Sequence, residues 1–347
     1  MAVLTLALCV GACRTLRSTG SSPPSTAAAD SRPPIGIIEV YGARRVSEER
    51  IREALQIKEG DALPLKSGEV EQRVAAILGV RQVHLNTVCC DAGKSILYVG
   101  IQESGAGRLV FRAAPTGSIR LPEEIVQAGQ ALDRALMEAV QRGDAEEDPS
   151  QGYSLARNPD ARAIQQRFIG FAAHDGKLLA DVLRFSGDAE HRARAAEIIA
   201  YTTNKEAAVS DLIHATRDPS PGVRNEAVRA LALIAAFAQR HPEGQLRVPW
   251  TPLIDLLNSV VWTDRNKASF ALMQLSEGRD PELLSELKSG ALPALVEMAR
   301  WKSRAHALPS FVILGRIAGM NDDAIFKAWE GGRHQSIIES FQKPNHE

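Results

Sequence analysis

The sequence predicts a multidomain protein with a small α+β domain followed by an all-α superhelical solenoid. Residues 35–103 contain strand-like and helix-like segments in the order β-α-α-β-β, whereas residues 158–341 show helical periodicity throughout. The helical half also repeats itself, with arginines at matching places in successive copies. Aromatic residues make up only 5% of the chain, and the abundant small aliphatic residues favour closely stacked helices.

Composition and charge narrow the classes of partner. Hydrophobic residues make up 44% of the chain and charged residues 24%, which is ordinary for a soluble globular protein. The 41 basic and 42 acidic residues give a formal net charge of -1. A nucleic-acid binder or a polybasic lipid-binding segment needs an excess of cations, so neither class is expected.

The N-terminus reads as an export signal. The apolar run over residues 2–12 is shorter than the ~20 residues of a membrane span and fits the hydrophobic region of a signal peptide. Small residues precede Cys13, an arrangement that resembles the lipobox of bacterial lipoproteins, although no Lys or Arg precedes the run. Cys13 is therefore the candidate lipidation site at the end of segment 1–13, with ordinary cleavage nearby as the alternative.

Residues 14–34 are rich in Ser, Thr, Pro, Gly and Ala and predict a flexible tether. Together with the export signal, this tether predicts a periplasmic or outer-membrane-associated lipoprotein. Its membrane contact would be limited to the lipid anchor.

Residues 35–103 predict the α+β domain element by element. The β-branched strand Ile35–Tyr41 comes first, and Ser47 is placed to cap the helix that follows. A second amphipathic helix stops at Gly79. Strand Val80–Val88 then turns at Asp91–Lys94 into a last strand that is apolar on both faces, as expected for a central strand.

This order of elements, and the sequence of several segments within it, resemble a POTRA domain. The matching segments are Ile38–Gly42, Val46–Ser47, Ile57–Asp61, Leu78–Val83 and Leu97–Val99. The resemblance implies an extracytoplasmic domain that binds other polypeptides, often by adding a strand to an exposed sheet edge.

The strand Val80–Val88 is the candidate edge, and its polar residues Arg81, Gln82 and His84 are candidate partner-binding residues. The alternative is that these side chains only solubilise the strand. His84 has no second ligand at a suitable spacing, so no metal site is expected.

The cysteines Cys89 and Cys90 are neighbours in the sequence, and no spacing in the chain resembles a zinc site. Adjacent cysteines rarely pair because the disulfide strains the intervening peptide. We therefore expect buried strand residues rather than a redox pair.

Residues 104–157 predict a linker with one helix at 122–142 and a short strand at Leu109–Phe111. The glycines at 105 and 107 do not follow the G-x-G-x-x-G pattern, so no nucleotide site and no other cofactor is predicted.

The solenoid prediction for residues 158–341 rests on repeated helix–turn–helix copies. Their clearest member runs from Asp218 through Val223 and Arg224 to Leu231 and resembles a HEAT repeat. Arginines recur at matching places in the copies: Arg162, Arg192, Arg224, Arg265 and Arg304. In such repeats, arginines and aspartates cap helices and pair between neighbours, so we interpret them as structural rather than catalytic.

Large aromatic residues stand out in this aliphatic solenoid. Trp250, Trp262 and Trp301 are candidate partner-binding residues, with core packing as the alternative.

These features predict a non-catalytic scaffold for protein partners in the bacterial cell envelope. No combination of nucleophile, base and oxyanion donors is recognisable, so no catalytic residues are assigned. The POTRA resemblance further suggests an accessory role in outer-membrane protein assembly or transport. The alternative is a lyase-type enzyme, or a cytoplasmic chaperone-like relative, because some HEAT-like proteins cleave chromophore–cysteine links.

Overall fold

The computed structural model describes residues 33–107 and 109–341. The predicted signal peptide, Cys13 and the tether as far as residue 32 lie outside these residues. None of the described helices is both long enough and apolar enough to span a bilayer.

The N-terminal elements form a three-stranded sheet with two helices. They are β1 (Ile35–Tyr41), α1 (Glu48–Leu55), α2 (Ser67–Ala75), β2 (Val80–Asp91) and β3 (Lys94–Glu103). The strand order is β1-β3-β2, with β1 parallel and β2 antiparallel to the central β3. The predicted β-α-α-β-β order and the central position of the last strand are both confirmed.

Each face of the sheet packs against helices. On one face, Leu85, Leu97 and Val99 form a core with residues of α1 and α2. On the other face, Tyr41 and Tyr98 belong to the core of the solenoid. The sheet is therefore a layer between two helical layers, which explains why β3 is apolar on both sides.

The rest of the chain is helical, apart from the two-stranded pair β4 and β5. Its elements are α3 (Glu123–Gln141), β4 (Glu147–Asp148), β5 (Leu155–Ala156), α4 (Pro159–His174), α5 (Gly176–Phe185), α6 (Ala189–Ile199), α7 (Lys205–Ala215), α8 (Pro221–Arg240), α9 (Thr251–Leu256), α10 (Trp262–Leu275), α11 (Pro281–Met298), α12 (Arg304–Ile317), α13 (Asp322–Glu330) and α14 (His334–Ser340). Single-turn helices also occur at Pro242–Gly244 and Ser276–Gly278.

Successive helices of the solenoid stack in two layers. Helices α6, α8, α10 and α12 pack in sequence in one layer, and α5, α7, α9 and α11 pack against them in the other. Side-chain caps fix several helix starts because they satisfy N–H groups of the first turn. The capping residues are Ser47, Asn158, Asp188, Asn204, Asp280 and Asn321.

The segment 109–121 corrects one prediction. Leu109–Phe111 is not a strand, although the segment is held firmly on the turns of the solenoid. The Arg112 N–H donates to the Arg217 carbonyl at 2.7 Å, and the Gly117 N–H donates to the Phe185 carbonyl at 2.9 Å. Apart from an isolated β-bridge between Gly117 and Ser186, these backbone groups bond to a turn and a helix end rather than to a strand, so no sheet forms there.

Cys89 and Cys90 correct a second prediction. Both residues belong to β2, as expected, but they are exposed at its hairpin end rather than buried. In the structure they form a disulfide with each other across a cis peptide bond. The hairpin tip extends beyond the packed faces of the sheet, so these side chains have no core to enter.

Candidate partner-binding site

The β1 edge of the sheet is occupied by the chain itself. The Ile35 N–H donates to the Asp61 carbonyl at 2.9 Å, and the Gly60 N–H donates to the Ile35 carbonyl at 2.7 Å. Farther along, Arg52 Nη2 donates to the Ile38 carbonyl at 3.1 Å. These bonds occupy outward backbone groups of Ile35 and Ile38 that an added strand would need, so this part of β1 is blocked.

The β2 edge has the opposite character. His84 pairs with Gly100 of β3, and the backbone of Leu85 points away from the sheet. Because backbone groups alternate along a strand, Val83 points outward in the same way. The Leu85 N–H donates to Glu71 Oε1 at 2.7 Å. The outward N–H of Val83 has no hydrogen-bond partner within residues 33–107 and 109–341. The prediction that β2 is an edge strand is therefore confirmed.

The three residues predicted on this strand are differently placed. Arg81 is exposed to solvent. Gln82 and His84 lie on the face turned toward the solenoid, where both line a cavity of about 260 Å³. Arg224 and Asn258 line the opposite side of this cavity. The structure thus brings Gln82 and His84 together with residues more than a hundred positions away.

The connector crosses this cleft. Leu109 lines the first cavity and also a second one of about 360 Å³, whose walls include Arg44 and Arg265. A third cavity of about 210 Å³ lies beside Leu109 and Phe111. The first two cavities form a groove between the sheet and the solenoid turns, with polar side chains among their walls, whereas the third lies between the connector and the solenoid.

Glu71 and His84 give the β2 edge its electrostatic character. Glu71 Oε1 lies 3.5 Å from His84 Nδ1 and also accepts the Leu85 N–H. Burial opposes ionisation of Glu71, but these two hydrogen bonds outweigh it and lower the pKa of the carboxyl. The Glu71 carboxylate beside Leu85 is therefore ionised at neutral pH.

The predicted aromatic site requires a correction. Trp262 and Trp301 are only 3% and 5% exposed, so they do not line an outer binding face. Trp262 stacks on Tyr98 at a centroid distance of 4.9 Å, and Trp301 meets Tyr41 edge-on at 5.8 Å. They serve the alternative role of core packing, against the sheet. Trp250 is half-buried and packs on the solenoid core.

Two of the repeated arginines, Arg192 and Arg224, form buried ion pairs, which agrees with the structural interpretation. Arg192 makes a two-bonded contact with Asp218, with both distances 2.9 Å, and Arg224 makes the same contact with Asp264 at 2.9 and 2.8 Å. All four side chains are buried. Each pair joins one helical repeat to the next, and the charges are already satisfied, so they are not free to bind a ligand.

No metal centre occurs in the part of the chain that the structure describes, since no three His, Cys, Asp or Glu side chains are suitably grouped there.

The helix pairs have a counterpart among known protein families. Residues 176–273 match the family of HEAT repeats. HEAT solenoids are protein-interaction scaffolds that present extended surfaces to their partners. No curated protein matches the chain.

Solved structures similar to this chain include designed armadillo repeat proteins. One, designed for modular peptide recognition, is 21% identical, with a TM-score of 0.35 and coverage of 54% of this chain and 87% of its own. A second, in complex with the peptide (KR)4, is 22% identical, with a TM-score of 0.37 and coverage of 65% and 94%. A third is 20% identical, with a TM-score of 0.36 and coverage of 57% and 92%.

Proposed function

We propose that this protein is a non-catalytic scaffold that binds an extended polypeptide on the β2 edge and a second protein on its HEAT repeats. The observation that carries the proposal is the contrast between the two sheet edges. On the β1 edge, Ile35 and Ile38 are already bonded to Asp61, Gly60 and Arg52, whereas the β2 edge offers outward backbone groups beside a polar groove. Addition of a strand would satisfy those groups with main-chain hydrogen bonds.

The proposed location is the bacterial cell envelope, as a lipoprotein anchored through Cys13. Support comes from the apolar run before Cys13 and from the resemblance of the sequence of residues 35–103 to a POTRA domain. The observed β-α-α-β-β order agrees with that resemblance. An accessory role in outer-membrane protein assembly or transport would use both binding modules.

Site-directed photo-crosslinking tests the binding edge. A photoreactive residue at Arg81, which is exposed on β2, should give crosslinked products with envelope proteins in living cells. The matched control places the same group at Arg50, which is exposed on helix α1. Equal products from both positions, or none from Arg81, would count against the β2 edge.

Mass spectrometry of the mature N-terminus tests the location. We expect the protein in the membrane fraction, with Cys13 as a lipid-modified first residue. A Cys13→Ala variant should move to the soluble fraction. Recovery of an intact Met1 from the cytosol would refute export and the envelope role.

A further inference from the structure

Glu71 lies across the middle of the β2 edge. It belongs to α2, yet its carboxylate reaches the edge and accepts the Leu85 N–H at 2.7 Å. Helix α2 is anchored by Val70 and Val74, which are buried in the core. Because the helix is fixed in this way, Glu71 is held beside the β2 edge. His84 Nδ1 also lies 3.5 Å from this carboxylate, and its ring is partly exposed.

A strand that adds to this edge must compete with Glu71. The Leu85 N–H has one proton to donate, and an incoming carbonyl oxygen needs the position that the carboxylate oxygen holds. Once displaced, the carboxylate remains beside the added strand because α2 does not move with it. A solvated glutamate carboxylate is ionised at neutral pH, so the displaced Glu71 attracts a cationic side chain and repels an acidic one.

We infer that Glu71 is a latch on the β2 edge and also its charge selector, which favours extended peptides that carry Lys or Arg beside Leu85. This inference rests on the proposed strand addition and specifies which peptides take part in it. Since a single carboxylate closes the edge at Leu85, the latch costs one hydrogen bond to open and leaves the sheet intact.

Amide hydrogen exchange at Leu85 tests the latch without any ligand. Glu71→Ala removes the acceptor, so the Leu85 amide should exchange about fivefold faster than in the wild type. Glu71→Gln retains an acceptor oxygen and should retain most of the protection. Glu69→Ala is the matched control, because Glu69 lies on the same helix and bonds to Lys66 instead. Unchanged exchange in Glu71→Ala would overturn the latch.

Two fluorescent synthetic nonapeptides, which alternate Thr and Val around a central Lys or a central Glu, test the selectivity. The wild type should bind the Lys peptide about threefold more tightly, and Glu71→Lys should prefer the Glu peptide. Glu71→Ala should bind both peptides alike, while Glu69→Ala keeps the wild-type preference. Binding without a charge preference in the wild type overturns only the selector. Absence of binding to every variant overturns strand addition itself and the selector with it.

Discussion

At the residue scale, the buried residues Tyr98 and His306 link the sheet to the solenoid through a hydrogen bond. The Tyr98 hydroxyl and His306 Nδ1 are 2.7 Å apart, and the two residues are 208 positions apart in the sequence. Trp262 meets the imidazole edge-on at 5.0 Å. Burial, with Lys267 nearby, lowers the pKa of His306 to about 4. The imidazole is therefore neutral at pH 7, as an acceptor for the tyrosine hydroxyl must be.

This pair predicts an acid-sensitive stability. The unfolded chain binds a proton at His306 near pH 6.5, but the folded protein does so only near pH 4. The free energy of unfolding should therefore fall as the pH falls from 6.5 to 4, by at most about 3 kcal/mol from this residue. Urea denaturation at a series of pH values measures it. His306→Gln, which does not titrate, should show a flatter dependence; parallel curves for both proteins would contradict the assignment.

At the scale of elements, the sequence predicts what depends on local periodicity. The order of strands and helices in residues 35–103 follows from the alternation of apolar residues and from helix capping. The repeated arginines follow from helical repeats that each place one arginine at the same turn. The position of β2 at an edge was predictable from its polar Arg81, Gln82 and His84. These features need no knowledge of distant contacts.

What could not be predicted depends on contacts between distant segments. The sequence around Trp262 and Trp301 does not show whether these side chains face solvent or the sheet. Their burial depends on contacts with Tyr98 and Tyr41, which are distant in the sequence. Glu71 was missed because an acid next to a buried helix stripe is usually only solvated. Its proximity to Leu85 requires the packing of α2 on β2.

The connector shows the same dependence on tertiary contacts. Its glycines predicted a linker, but Gly117 lies so close to α5 that a Cβ there would overlap the Phe185 carbonyl. Farther along, the Leu121 N–H donates to His191 Nδ1 at 3.0 Å. The segment is therefore a fixed strap on the solenoid turns, and it sets one wall of the groove beside β2.

At the scale of the whole molecule, the sheet and the solenoid share one core. The Tyr41 hydroxyl donates to the Val260 carbonyl at 2.8 Å, and the Gly42 N–H donates to Glu297 Oε1 at 2.8 Å. The side chain of Asn86 on β2 accepts the N–H of Trp262, the first residue of α10. The sheet thus completes the polar ends of solenoid helices, so a partner on either module meets a surface held in fixed register with the other.

Gly100 in β3 makes that close packing testable. A Cβ at this position would overlap the Val260 carbonyl oxygen and lie 2.6 Å from the Tyr41 hydroxyl. Gly100→Ala should therefore separate the sheet from the solenoid and destabilise the protein by about 1–3 kcal/mol. Limited proteolysis should then cut the connector, and thermal denaturation should begin at a lower temperature.

Gly107→Ala is the matched control for Gly100→Ala, because a Cβ at position 107 meets no atom within 4 Å. It should unfold like the wild type and leave the connector resistant to protease. If Gly100→Ala behaved in the same way, the sheet would have to tolerate a shift away from Val260 without loss of stability. The close approach of β3 to Val260 would then not be what couples the two modules. If only Gly100→Ala loosens the connector, the close approach of β3 to Val260 and Tyr41 is what fixes the β2 edge beside the groove.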